Sequence, residues 1–350
     1  MEGYLKLENG EGFTGQWHGE TYICSGELIF YTGMGNFLEF MTDPAVKGKI
    51  ALFSYPGILN SCFDKEKFES ENVQLAGIIT QQDWIPTSQS NENLMSLFLE
   101  NKIPVMTGMD TRTIMKSLLE VEEMPVQMLA NNKAQSNIHE TNLAFAHPVK
   151  RIVNPKGEKH LVVIDFGLKN SLVKWLNHNN YRLTIVPAQI SAETIRSLEP
   201  DGLVFSGGPG NPVKWKNYFK EYSEVAKNYP TIGFGLGHQI LGLAFGANVE
   251  KMKGGHRCFK QPVIHTTTKL VFMSNQNHGY AISEDGLAES GFFPSFTSIQ
   301  DGTIDGLIHQ DYPIATYQFH PNGKNAELES VIIDSFSLQM KQYKGETIYA

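Results

Sequence analysis

The chain has 350 residues, 41% of them hydrophobic and 19% charged, with a formal net charge of -8. That is the profile of an ordinary folded protein long enough for two domains with buried cores. The acidic balance argues against nucleic acid or an anionic membrane as the main partner, and no apolar run reaches the ~18 residues of a membrane span.

Three cysteines, Cys24, Cys62 and Cys258, form neither a disulfide framework nor a CxxC metal pair. The first residues, Met1-Glu2-Gly3-Tyr4-Leu5, lack the basic and apolar regions of a secretion signal. A cytoplasmic protein is expected.

Short strand-like runs come first, at Gly26–Tyr31, Lys49–Ser54 and Leu75–Ile79. A helix pattern follows over Asn91–Asn101, then a short strand at Ile103-Pro104-Val105-Met106. Asp110 stands where an N-cap would open another helix. This part reads as α/β or α+β, and no catalytic constellation is visible in its spacing. Linker composition (Pro, Gly and charge) at His147–Arg151 and Asn154–Gly157 divides the chain near residues 147–160. Domains at 1–150 and 151–350 are expected.

The second part alternates strand and helix: strand His160–Asp165, helix Asn170–Asn177, strand Arg182–Pro187, helix Ala192–Leu198, strand Gly202–Phe205. Alternation at this spacing implies a mostly parallel sheet with right-handed crossovers flanked by helices, an α/β fold. Sites in such sheets lie beyond the carboxyl ends of the strands. Three loops fall there: Ser206-Gly207-Gly208-Pro209-Gly210-Asn211-Pro212, the turn at Gly235, and Phe319-His320-Pro321-Asn322.

The middle loop has the setting of a nucleophile elbow. Thr231-Ile232-Gly233-Phe234 is a strand, Gly235-Leu236-Gly237-His238-Gln239 a tight turn, and Ile240, Leu241, Leu243 and Ala244 begin an amphipathic helix. Such an elbow holds Ser or Cys at its apex; here the apex is glycine, which has no side chain to attack anything. Each loop alone reads more simply as turn chemistry, a capping histidine or a tight turn. Their order lifts the signal.

Over nearly its whole length the chain resembles the carbamoyl phosphate synthetase small-subunit family of class I glutamine amidotransferases. In the first part the resemblance rests on Thr32-Gly33-Met34, Glu39, Thr42-Asp43-Pro44, Tyr55-Pro56 and Asp110-Thr111-Arg112. In the second it rests on Asp165-Phe166-Gly167-Leu168-Lys169, Gly208-Pro209-Gly210, Gly237-His238-Gln239, Lys253–Arg257, Gln276-Asn277-His278-Gly279-Tyr280, Asp301-Gly302-Thr303 and Gln318-Phe319-His320-Pro321.

The resemblance implies a mechanism. A cysteine thiolate attacks the glutamine side-chain carbonyl, a histidine activates it, and a glutamate orients the histidine. Backbone N–H groups hold the oxyanion, and ammonia passes to a large subunit that uses ATP and bicarbonate. Carried over, the nucleophile position is Gly235, the base His320, and the orienting position Asn322. The oxyanion donors fall at Leu236 and Gly208. Glutamine contacts fall at Ala45, Gly208, Gly210, Leu236, Gln239, Asn277, Gly279 and Tyr280. The first domain is implied to dock the large subunit. No metal or cofactor is expected in this chain, and ATP and Mg belong to the large subunit. Histidine spacing gives metal binding no support.

The departures from the family, with the vacant apex at Gly235, point one way. The family usually has serine at Ala45, SNGPGDP where this chain reads Ser206–Pro212, and glutamate at Asn322. Losing the thiol removes covalent catalysis. Asn322 could accept a bond from His320 but cannot neutralise an imidazolium, and a comparable Asp-to-Asn change in a serine protease costs about 10⁴ in kcat. A missing hydroxyl at Ala45 costs roughly 0.5–1.5 kcal/mol. An engineered knockout would leave Asn322 and Ala45 unexplained, so the expectation is natural decay of the glutaminase. Cys258, beside His256 and Arg257, is read as a partly buried small residue rather than a replacement nucleophile, and His238 and His278 as pocket-shaping. Two readings stay open: a synthetase subunit supporting synthesis from glutamine or ammonia, with free ammonia the expected source, or a non-catalytic glutamine-binding or regulatory protein. A pathway-specific duplicate, serving arginine rather than pyrimidine synthesis, is the weaker expectation.

Overall fold

The computed structural model describes residues 1–20, 23–55, 58–60, 64–83, 93–121, 124–130, 150–343 and 345. Pro56, Cys62, the first two residues of the expected Asn91–Asn101 helix, and the linker up to residue 149 lie outside them. The chain forms two compact units, Met1–Ala144 with Met252–Cys258, and Phe145–Lys251 with Phe259–Ala350.

In the first unit the strands are β1 (Glu2–Leu7), β2 (Gly12–His18), β3 (Cys24–Tyr31), β4 (Ile50–Phe53), β5 (Gly77–Thr80), β6 (Val105–Thr107) and β7 (Pro125–Leu129). They close into a barrel in the order β1-β2-β6-β5-β4-β3-β7. Neighbours from β3 to β6 run parallel and the other pairs antiparallel. The helices are α1 (Phe37–Met41), α2 (Leu94–Glu100) and α3 (Thr111–Leu119). Asn93 caps α2 through Ser96 N–H, and Asp110 caps α3 through Thr113 N–H at 3.1 Å, as its sequence position suggests. Leu5, Leu7, Trp17, Leu52, Ile79, Met106, Val126 and Met128 fill the core. Closure removes the open edges that strands this short would otherwise expose.

The second unit holds β8 (Arg151–Val153), β9 (Lys159–Asp165), α4 (Asn170–His178), β10 (Tyr181–Pro187), α5 (Ala192–Ser197), β11 (Gly202–Phe205), α6 (Phe219–Asn228), β12 (Thr231–Phe234) and α7 (Leu236–Ala244). It continues with β13 (Val249–His265), β14 (Val271–Ile282), β15 (Phe292–Ser298), β16 (Ile304–His309), β17 (Ile314–Tyr317) and α8 (Ala326–Tyr343). These strands make one ten-stranded sheet, ordered β14-β13-β15-β16-β17-β12-β11-β9-β10-β8. The expected parallel arrangement is confined to the run β17-β12-β11-β9-β10. Antiparallel strands extend it on both sides.

Two covered faces explain why the central strands read as unbroken apolar runs. In β9, Leu161, Val162, Val163 and Ile164 are all 0% exposed. Because side chains alternate, Val162 and Ile164 pack with Ile195, Tyr222, Val225, Ile240 and Leu241 under α5, α6 and α7. Leu161 and Val163 pack with Leu172, Leu176, Leu328, Ile332 and Phe336 under α4 and α8. Each such side chain contributes roughly 1.5–3 kcal/mol on burial. The two layers hold the carboxyl ends of the parallel strands rigidly in register.

Candidate active site

Four loops meet beyond those carboxyl ends, following β9, β11, β12 and β17. In the first, Asp165 Oδ1 accepts the N–H groups of Gly167 (2.9 Å) and Leu168 (2.8 Å). Burial pushes its carboxyl up, against the pull of those two bonds. Phe166 N–H donates to Ser206 Oγ at 2.9 Å, tying this loop to the one after β11. The turn ends on Lys169, only 3% exposed, immediately before α4. In the sequence Lys169 stands out only as part of the Asp165–Lys169 motif. Its place at the end of the first parallel strand is the signal that would have brought it into the site.

The β12–α7 turn is pinned from both sides. Gly235 N–H donates to Tyr317 O (2.9 Å) in β17, and Gly237 N–H to Ser206 O (3.0 Å) after β11. The apex, Gly235, has φ 52° and ψ -112°. That conformation is open to glycine and strained for residues with a Cβ, so the elbow keeps its geometry without a nucleophile. Leu236 begins α7, and the first N–H groups of a helix have no partner inside it. This leaves a donor where the resemblance places one.

His320 is 7% exposed, its backbone N–H bonded to Asn275 O at 3.2 Å and its ring stacked on Phe234 at 6.1 Å and 29°. A Cβ on Gly235 would stand 2.6 Å from its Cε1 and 3.1 Å from its Nε2. The structure thus brings Gly235 and His320 into direct contact. Neither ring nitrogen has a hydrogen-bond partner among the described residues. Desolvation first, then the charge of Lys169 and His278, hold the imidazole well below its ordinary pKa.

Asn322 does not take the bond from His320 that its position allows. Its Oδ1 accepts Lys324 N–H at 3.1 Å, a local turn of the kind Asn forms readily. Glu329 Oε1, from α8, holds the same loop by the N–H groups of Asn322 (2.8 Å) and Gly323 (2.7 Å). Glu329 carried no sequence signal, because its role depends on helix α8 packing against the loop.

The side chains around this centre share several hydrogen bonds. His238 is 0% exposed and pairs through Nδ1 with Thr316 Oγ1 at 2.8 Å, while burial lowers its pKa to about 3. Gln239 Nε2 donates to Tyr280 O and Gln318 Oε1, both at 2.9 Å. His278 pairs with Tyr280 O (2.8 Å) and Gln276 Oε1 (2.9 Å). Asn277, Gly279 and Tyr280 lie half-buried on β14, with Lys251 Nζ 5.2 Å from the Tyr280 ring centroid. Gly208 and Gly210 follow β11, Gly210 at φ 94°. Ala45 and Cys258 belong to the first unit, where Ala45 N–H donates to Asp43 Oδ1 at 2.9 Å and Cys258 is half-buried.

A covered sheet with a glycine elbow and a histidine loop on neighbouring strands defines the class. Residues 162–340, which carry that site, match the family "Glutamine amidotransferase class-I". Residues 5–128 match "Carbamoyl-phosphate synthase small chain, CPSase domain". The chain is 36% identical to a carbamoyl phosphate synthase arginine-specific small chain of Halalkalibacterium halodurans, over 100% of both chains. It is 35% identical to the arginine-specific small chain of Bacillus subtilis over 94% of each. It is 34% identical to a pyrimidine-specific small chain of Lactiplantibacillus plantarum, over 92% of this chain and 91% of that one. The chain belongs to the carbamoyl phosphate synthase small-chain family, with a glutamine amidotransferase domain at its carboxyl-terminal end. No described helix is long and apolar enough to cross a membrane.

Proposed function

We propose that this chain serves as the small subunit of a carbamoyl phosphate synthase, paired in the cytoplasm with a large subunit that supplies the ATP and Mg chemistry. The complex makes carbamoyl phosphate from bicarbonate, ATP and free ammonia, and the glutaminase step of this chain is lost. The first unit, which matches the small-chain family, docks the large subunit. Arginine-specific and pyrimidine-specific relatives both lie close in sequence; arginine synthesis is the pathway we favour.

The observation that carries the loss is the reaction centre: a glycine at the elbow apex, with an unpartnered imidazole against it. Nucleophilic catalysis needs a side chain at the apex, a base within hydrogen-bond reach and a group orienting that base. Gly235 supplies no nucleophile, and Asn322 is turned to Lys324. Glutamine-binding roles for Ala45, Gly208, Gly210, Leu236, Gln239, Asn277, Gly279 and Tyr280 belong to the same reading. They allow glutamine to be held without being cut.

The test is to purify the chain with its cognate large subunit and compare glutamine with ammonium as nitrogen source. Ammonium should support synthesis, and glutamine should fall orders of magnitude below it. Equal rates would overturn the lost glutaminase. Failure of the two subunits to co-purify would favour the second reading, a glutamine-binding or regulatory protein acting without the synthetase.

A further inference from the structure

An imidazole that is 7% exposed and has no partner for either nitrogen among the described residues needs a physical reason for where it lies. Two glycines give it. One is the elbow apex, Gly235, where a Cβ would stand 2.6 Å from His320 Cε1. The other is Gly207, in the loop after β11, where a Cβ would overlap His320 Nε2 and stand 3.0 Å from Cε1. Phe234 closes a third side with its ring face. The charged or titratable groups acting on the ring are Lys169 and His278.

We infer that Gly207 is a positioning residue for His320: with Gly235 it forms a two-glycine socket that admits the imidazole into the space a nucleophile's side chain would fill. The inference rests on reading position 235 as the vacant nucleophile seat. Gly207 stands where the family's SNGPGDP has asparagine, so this departure acquires a specific consequence. A side chain at 207 is fixed to the backbone of a buried turn, whereas Nε2 is the far end of a side chain that can rotate. A Cβ there expels the ring even while position 235 remains glycine. Decay at the elbow and decay in the β11 loop are therefore two halves of one rearrangement.

The test reads the ring and not the reaction. In the full chain with labelled histidine, the His320 imidazole signals, assigned by loss in His320→Gln, are followed by NMR from about pH 5 to 8. In the natural protein they stay in the neutral form throughout. In Gly207→Ala the ring leaves its socket and titrates, its pKa rising toward the ordinary value of ~6.5. An unchanged His320 titration in folded Gly207→Ala overturns the inference.

A thermal cycle gives an independent answer. Gly207→Ala should lower the melting temperature in the natural background and leave it unchanged in His320→Ala. Equal losses in both backgrounds overturn the inference. If Gly207→Ala alone fails to fold, the double variant with His320→Ala should fold, and its failure would show that Gly207 is required for some other contact. Discovery of glutaminase activity would refute the vacant seat without altering either readout.

Discussion

Two buried histidines a few residues from the same strand ends differ in their bonding: among the described residues His238 has a partner for one ring nitrogen and His320 for neither. His238, on α7, is bonded to Thr316 and sits in a layer where Gln239, Gln318, Gln276 and His278 also find partners. The ring of His320, on the β17 loop, has none among the described residues and leans on two glycines. The difference separates scaffold from chemistry. In the scaffold layer each of these side chains keeps at least one hydrogen bond, and losing such a bond costs about 1–3 kcal/mol. On the proposed reading, the imidazole of His320 is the group whose partner would have been a reacting atom.

The largest way to probe that contrast is acid. With a folded pKa of about 3, His238 stays neutral while an unfolded histidine protonates near 6.5. The unfolded chain therefore binds more protons below ~6.5, so stability falls as pH drops from there toward ~3, by on the order of 5 kcal/mol at most. His320 shifts in the same direction and adds to the slope. Urea denaturation at pH 7.5 and 5 should show the natural protein losing stability and His238→Gln losing less, from a lower start. Parallel losses would mean His238 is not held neutral.

Next comes repair of the chemistry. Gly235→Cys alone should restore little glutamine hydrolysis, and Gly235→Cys with Asn322→Glu should exceed it by about 10², short of the ~10⁴ lost with a comparable carboxylate in a serine protease. Full activity from the single change would show that the site needs no orienting group. The smallest effect is mechanical. At φ 52° a Cβ is strained, by roughly 1–3 kcal/mol. Gly235→Cys should therefore melt a few degrees lower by calorimetry, and an unchanged melting temperature would deny strain at the apex.

Much of the second unit was legible in the sequence. The strands β9, β10 and β11 and the helices between them declare themselves because each is a contiguous run with its own period. The glycine-rich turns then mark the strand ends. The barrel was not legible, since its closure depends on Tyr4 facing Leu129 and Gln16 facing Thr107, pairings no local pattern encodes. Nor did the parallel alternation announce the antiparallel strands added from β13 to β16. At the site, Gly235, His320 and Asn322 could be named from motif order. What these residues do to one another could not, because it depends on which way a side chain turns: Asn322 to Lys324, and His320 into the space beside Gly207.

The carboxylate of Glu329 bears on the history of this chain. It clasps the backbone at 322 and 323, so a glutamate returned to position 322 would arrive beside an established negative charge. A cysteine returned to 235 would meet the His320 ring. If the glutaminase is lost as proposed, each single step back toward glutamine hydrolysis meets a neighbour already in place. On that reading the path works as a ratchet, because one substitution at a time brings a clash or a like charge before it brings activity.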